Sequence, residues 1–458
     1  MSALNTTIER MTRRRSLSTV VVAYGYAALL VAGPWIFTIL GIAGLSATRC
    51  DGACDQLAVF RSVVIHNALF ALVVTSPLAF FFGRYVADQV HGGQHDRLMF
   101  ALLLSLTLFA LIVAATVVPF YLLVVSLPGP ARLAAIQCAF LIGTSWLLIP
   151  FLAAAGAHRA VMLGFGLNAA AMLLFGHVLA DPSATTLLLA FNTGFALTDG
   201  VLIAAVARAF GTRAQPDWKQ MRRQLHHWEL PLAGFAYAVG IWADKLVMWY
   251  GASSGGLLVA GVLRTSPSYD TAMFWAQMAS IPVIAVAFVH VETRLSRLFV
   301  RFYGRLGQSA SLRELIEVRQ DLRGCVISSV AMLFTALAIV ASMTILVSFV
   351  FMAELGLRPS YMSILRVALW AMVFHTSSMF CFVFLLYFDL RRQALLITAT
   401  YAVLNPALTW LILPLGQVYY GYGSMIAAAI TFVLGFSVLV RELPWLHYHA
   451  FVTNNTSL

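Results

Sequence analysis

The sequence predicts an all-α polytopic membrane protein with about twelve transmembrane helices, six on either side of a polar divider. Three observations predict it. The 458-residue chain is 61% hydrophobic and only 10% charged, whereas a soluble domain carries about 25% charged residues. Apolar runs of about twenty residues, the length that crosses a bilayer as a helix, recur from end to end. The basic residues gather in the gaps between those runs, which accounts for the net charge of +11 without nucleic acid as a partner.

By the length criterion the predicted spans are 19–47, 62–86, 98–126, 133–156, 160–180, 186–208, 230–250, 269–290, 325–352, 362–388, 393–415 and 422–440. The first run exceeds the roughly 7–15 residues of a signal-peptide core, so it is expected to remain as a span. Orientation follows from the basic residues. With both termini in the cytoplasm, most of the 29 Lys and Arg lie inside. Only Arg49, Arg61, Arg132, Arg264, Arg358 and Arg366 fall outside, and Lys245 lies within a span. This asymmetry puts both termini of a multi-pass chain on the inner side of the membrane.

The divider is "GTRAQPDWKQMRRQLHHWE". The expected organisation is an N-terminal six-helix lobe over 1–210, a cytoplasmic linker over 211–229 and a C-terminal six-helix lobe over 230–458. Two such lobes suit an alternating-access carrier. The largest cytoplasmic loop carries a helical pattern of its own. In "VETRLSRLFVRFYGRLG", Val291, Leu295, Leu298, Phe299, Phe302 and Leu306 recur at helical spacing beside a basic stripe of Arg294, Arg297, Arg301 and Arg305. Ser311 and Glu314 then form a capping box expected to start a second short helix. Such a basic amphipathic helix lies at lipid headgroups or offers a docking face to a cytoplasmic enzyme.

No catalytic motif is present: there is no H-E-x-x-H, P-loop or G-x-S-x-G. Cys50 and Cys54 are spaced wrongly for a zinc ribbon, and in an oxidising periplasm they form either a local disulfide or two free thiols. No cofactor and no metal are expected. The informative residues are polar groups at membrane depth, where a charge costs several kcal/mol unless it faces protein, water or a partner. Asp199 lies in the sixth span, Asp244 and Lys245 in the seventh, Arg264 and Asp270 at the outer mouth of the eighth, and Arg366 and His375 in the tenth. Asn405–Pro406 interrupts the eleventh. Asp244 and Lys245 point about 100° apart on a helix, so at least one needs a partner elsewhere. They either clamp spans together as an ion pair or line a wet cavity, with the aromatic residues Trp242, Trp249 and Tyr250 around them.

Several stretches carry a resemblance. "VAGPWIFTILGI", "IWADKLVMW", "SPSYDTAMFWAQMASIPVIAVAFVHVET" and "RFYGRL" resemble the PelG family, inner-membrane transporters of the Pel exopolysaccharide system, and the length agrees over the whole chain. The resemblance implies the flippase superfamily that includes multidrug exporters and polysaccharide transporters, with two six-helix lobes around a central cavity. It implies a cytoplasmic glycosyltransferase and further membrane subunits of the Pel synthase complex as partners, beside membrane lipid, and an amino-sugar polymer as substrate. Asp244, Lys245, Tyr269, Asp270, His290 and Glu292 are the motif positions it singles out. The expected function is movement of that polymer from a cytoplasmic synthase to the periplasm. The rivals are a lipid-linked oligosaccharide flippase or cation-coupled drug exporter of the same fold, a polytopic glycosyl- or acyltransferase, and a non-transporting synthase scaffold. An enzyme should carry clustered catalytic groups at one membrane face, and the sequence has none.

Overall fold

The computed structural model describes residues 33–34, 36–45, 54–178, 183–251, 256–306, 312–350 and 359–448. Among these, eleven helices are long and apolar enough to cross a membrane. They correspond one for one to the predicted spans from 62–86 onward. The first predicted span lies largely outside the described residues; within it, Ile36–Leu45 (α1) is a short apolar helix. The following helices are α2 (Cys54–His91), α3 (Leu98–Pro119), α4 (Gly129–Ala155), α5 (His158–Val178), α6 (Ala184–Phe210) and α7 (Glu229–Tyr250). After a two-stranded hairpin come α8 (Pro267–His290), α9 (Ser296–Leu306), α10 (Leu312–Val350), α11 (Pro359–Tyr387), α12 (Arg391–Ile412) and α13 (Tyr422–Glu442). This is a helical fold of two lobes.

Contacts divide the described residues into two compact units. One holds those of Ala32–Trp242 with Gly256–Thr265, and the other holds those of Ala243–Gly255 with Ser266–Leu458. The first unit is built on α2, α4 and α6, which pack side by side, with α5 laid along α6. Thr198 on α6 donates to the Gly164 carbonyl on α5 at 2.9 Å, a close approach that the missing Cβ of Gly164 permits. The hairpin β1 (Leu257–Ala260) and β2 (Leu263–Thr265) runs against α2. Its turn carries Gly261 at φ +59, where an added Cβ would lie 2.6 Å from the Ser126 amide nitrogen; glycine alone fits both demands.

The second unit centres on α11, which packs against α8, α10, α12 and α13. Prolines interrupt its helices without ending them, Pro282 in α8 and Pro406 in α12. Such breaks are tolerated in membrane helices where neighbours re-satisfy the backbone. The α11–α12 connection is short, with Asp389 in the left-handed region at φ 58 and its carboxylate 3.1 Å from Arg391.

One element differs from the sequence reading. The loop helix does not start afresh in a plane of its own. A π-helical turn, Val291–Leu295, joins α8 to α9, so the rod continues from Pro267 past the hydrophobic stretch. Its apolar stripe is used on the protein itself: Leu295 and Phe302 are buried, and Phe299 stacks edge-on against Tyr387 at 5.0 Å. Ser311, the proposed cap, lies outside the described residues, and α10 begins at Leu312.

Candidate functional site: a buried carboxylate node

Asp244 is the centre of a buried polar cluster in the second unit. It sits on α7 with 1% of its surface exposed. The Tyr269 hydroxyl on α8 donates to its Oδ2 at 2.6 Å, and the Asn405 amide on α12 donates to its Oδ1 at 3.3 Å. Lys245 brings its Nζ to 3.5 Å from the same Oδ1. The two neighbours leave the helix in divergent directions, but the four-carbon lysine stem spans the divergence. The lysine side chain keeps 19% exposure against 2% for the aspartate. The carboxylate is therefore enclosed and triply satisfied, while its cation stands at the edge of the cluster.

Three helices meet at this node. Tyr401 precedes Asn405 by one turn on α12, and its ring lies 4.8 Å from that of His375 on α11. Thr409 follows one turn later, so one face of α12 presents Tyr401, Asn405 and Thr409 to the interior, all three buried. Buried hydrogen bonds to a charged group contribute more than neutral ones, about 1.5–3 kcal/mol each. Stranding the carboxylate would cost still more.

A second cluster locks the end of α7 to the start of α8. The Trp249 indole donates to both Asp270 oxygens at 3.0 Å, and the Ser266 amide donates to Oδ2 at 2.9 Å. Asp270, four residues on, thus accepts from the backbone amide of the N-cap residue of its own helix. Asp270→Ala should remove the cap and the tryptophan partner together. A loss of about 2 kcal/mol, read as a lowered thermal midpoint of the purified protein, checks this; an unchanged midpoint would mean that neither bond contributes.

In the first unit, Ser145 on α4 donates to Asp199 Oδ1 on α6 at 2.5 Å, and Asp199 is buried. Asn192, two turns earlier on α6, donates to the Ala134 carbonyl on α4 at 2.8 Å. Asn67 on α2 donates to the Ala135 carbonyl and accepts from the Tyr121 hydroxyl. These asparagines bind helix to helix through backbone carbonyls, a role that single buried amides fill in membrane bundles. Sequence reading passed over Asn67 and Asn192, although each is a strongly polar residue inside an apolar run.

Of the remaining predicted residues, Trp242 is half-buried on α7, and Arg264 is half-buried on β2, opposite Leu258. Arg366 is exposed on α11 with its guanidinium 4.3 Å over the Phe349 ring, a cation–π contact. Arg294, Arg297 and Arg301 are exposed; Arg305 belongs to the same helix, and Glu292 to the π-turn after His290. Among the described residues, no group of three His, Cys, Asp or Glu could hold a metal ion. Cys50, and with it the disulfide question, lies outside the described residues.

The profile of the PelG family, described as "Putative exopolysaccharide Exporter (EPS-E)", matches residues 5–451. No curated protein matches the chain. Solved structures match along nearly its whole length. An outward-facing multidrug resistance MATE family transporter of the MOP superfamily superposes with a TM-score of 0.61 at 13% identity, covering 97% of each chain. An inward-facing one gives 0.60 at 13% identity, covering 92% of this chain and 99% of the other. A MOP superfamily transporter from Pyrococcus furiosus gives 0.58 at 14% identity, covering 96% of each. At such identity the likeness is one of fold.

Proposed function

The chain belongs to the PelG family, and from that premise we propose that it carries an amino-sugar exopolysaccharide of the Pel type from a cytoplasmic synthase across the inner membrane to the periplasm. Family and fold together point to a transporter, not an enzyme. The observation that carries the reading is the match to an exporter family over residues 5–451. A buried carboxylate held by donors from two other helices, with a lysine at its edge, supports it. A sugar polymer sheds hydration on entering a protein and needs hydrogen-bonding groups and aromatic faces in return. Lys245 offers donors, and Trp242 and Tyr250 supply aromatic surface on the same helix. In this reading a cytoplasmic glycosyltransferase and further membrane subunits feed the polymer to the chain, and both termini face the cytoplasm.

Deleting the gene and locating the polymer tests the direction. Polymer trapped inside the cell is the expected result; polymer still outside would overturn export by this chain. Topology is tested separately. Reporter fusions near Asp217, Gln308 and His449 should read cytoplasmic, and those near Asp55, Pro182 and Glu354 periplasmic. A periplasmic signal at Gln308 would overturn the orientation.

A further inference from the structure

We infer that the exposed arginines of α9 form a binding surface for anionic phospholipid headgroups, with Arg297 and Arg301 as its centre. The inference does not depend on which polymer the chain carries. It rests first on where the helix ends up. Phe299 touches Tyr387 and Phe388, the residues at which α11 ends before the short turn into α12. Both α11 and α12 span the membrane, so this turn lies at a bilayer surface and fixes the level of mid-α9. Arg297 stands about half a turn to one side of Phe299 and Arg301 about half a turn to the other, some 3 Å each way along the axis. The stripe therefore straddles the headgroup layer.

Length agrees with that placement. The antiparallel partner α10 has 39 residues, which is about 58 Å of helix against a hydrocarbon core of about 30 Å. A membrane helix of that length extends well past the lipid tails. Its Arg323 is exposed, and α10 packs against α9.

Charge and polarity then choose the partner. The described side chains on the exposed face of α9 are Arg297, Val300 and Arg301, with no acid among them. The neighbouring part of α10 is mixed, with Arg313 paired to Glu317 at 3.7 Å. Val300 is 60% exposed between the two arginines, and Trp445 is 57% exposed nearby in the segment after α13, where the Pro444 carbonyl accepts from Arg319. Exposed valine and tryptophan among arginines suit an interface with acyl chains below and phosphates beside. They suit a fully aqueous docking face poorly. The apolar stripe of α9 is already covered by the protein, so the lipid is held by its headgroup, not by insertion of the helix.

The test uses the purified full-length protein with two probes, phosphatidylglycerol and phosphatidylcholine, offered in mixed nanodiscs or micelles. Retained lipid is counted by native mass spectrometry. The wild type should retain phosphatidylglycerol preferentially. Arg297→Gln with Arg301→Gln should lose that preference by roughly fivefold per arginine removed, and the Arg→Lys pair should keep most of it. Equal retention by the glutamine pair would overturn the inference. If the glutamine pair does not accumulate, salt decides on the wild type: preference for the anionic lipid should fall between 0.15 and 1 M salt, roughly the range over which the Debye length drops from about 8 to 3 Å, and a salt-independent preference would overturn the inference. Loss of a co-purifying acidic protein from the glutamine pair, with lipid retention unchanged, would assign the face to a protein partner instead.

Discussion

Gly423→Val should abolish accumulation of the protein in the membrane. A Cβ at Gly423 would lie 2.5 Å from both the nitrogen and the Cα of Thr409, and 2.7 Å from the Leu408 carbonyl carbon. Those atoms are backbone and cannot rotate aside, so α12 and α13 would have to move apart. Ordinary overpacking costs about 1–3 kcal/mol; a clash with three backbone atoms of α12 belongs at or above the top of that range. The damage would also spread, since Thr409 lies one turn from Asn405 and the node. Gly304→Ala is the control, because an added Cβ there meets nothing within 4 Å. Quantitative blotting of membranes and thermal unfolding of whatever accumulates give the answer. Wild-type abundance and midpoint for Gly423→Val would show that the two helices are not in close contact.

The spans were legible because hydrocarbon thickness sets a length that any window of about twenty residues detects. The same criterion could not see that α8 runs on into α9. A window measures where side chains stop being apolar, and arginines end a hydrophobic run without ending a helix. The amphipathic period of 291–306 was equally plain, but periodicity says only that one face is apolar, and not whether lipid or protein covers it. Phe299 and Phe302 found protein. The polar stretch 211–229 is where the apolar runs break off in composition, whereas the division of contacts falls between Trp242 and Ala243. Composition and packing answer different questions there.

At the site, the adjacency of Asp244 and Lys245 was evident because isolated charges in an apolar run are costly. Their partners were not. Asn405 stands 161 residues from Asp244, and beside Pro406 it read as a helix interruption. Tyr269 stands 25 residues away, and only the family resemblance singled it out with Asp244. Long-range hydrogen bonds leave no periodic trace in a single sequence.

The largest functional effect is expected from the two charges taken separately. Asp244→Asn keeps the shape and removes the charge. The new amide must turn an N–H₂ either toward Tyr269, whose hydroxyl can accept it but then loses the acceptor for its own proton, or toward the Asn405 amide and the Lys245 ammonium, which only donate. One bond is lost on either side and the lysine loses its counter-charge, so a loss approaching the 3–5 kcal/mol of a broken buried pair is expected. Lys245→Met is gentler. It keeps the apolar stem, and Asp244 retains both Tyr269 and Asn405. The ammonium is the more exposed partner, so its removal should cost only about 1 kcal/mol. The expected result is thus asymmetric: Asp244→Asn lowers protein abundance, whereas Lys245→Met accumulates normally and exports less polymer. Abundance and extracellular polymer are measured in the same cells. The double variant should recover part of the abundance lost in Asp244→Asn, because the stranded cation is gone, and the shortfall from additivity measures their coupling. Normal export by Lys245→Met at normal abundance would remove the lysine from the transport path. An abundance loss as deep as that of Asp244→Asn would make the pair a clamp between helices and nothing more.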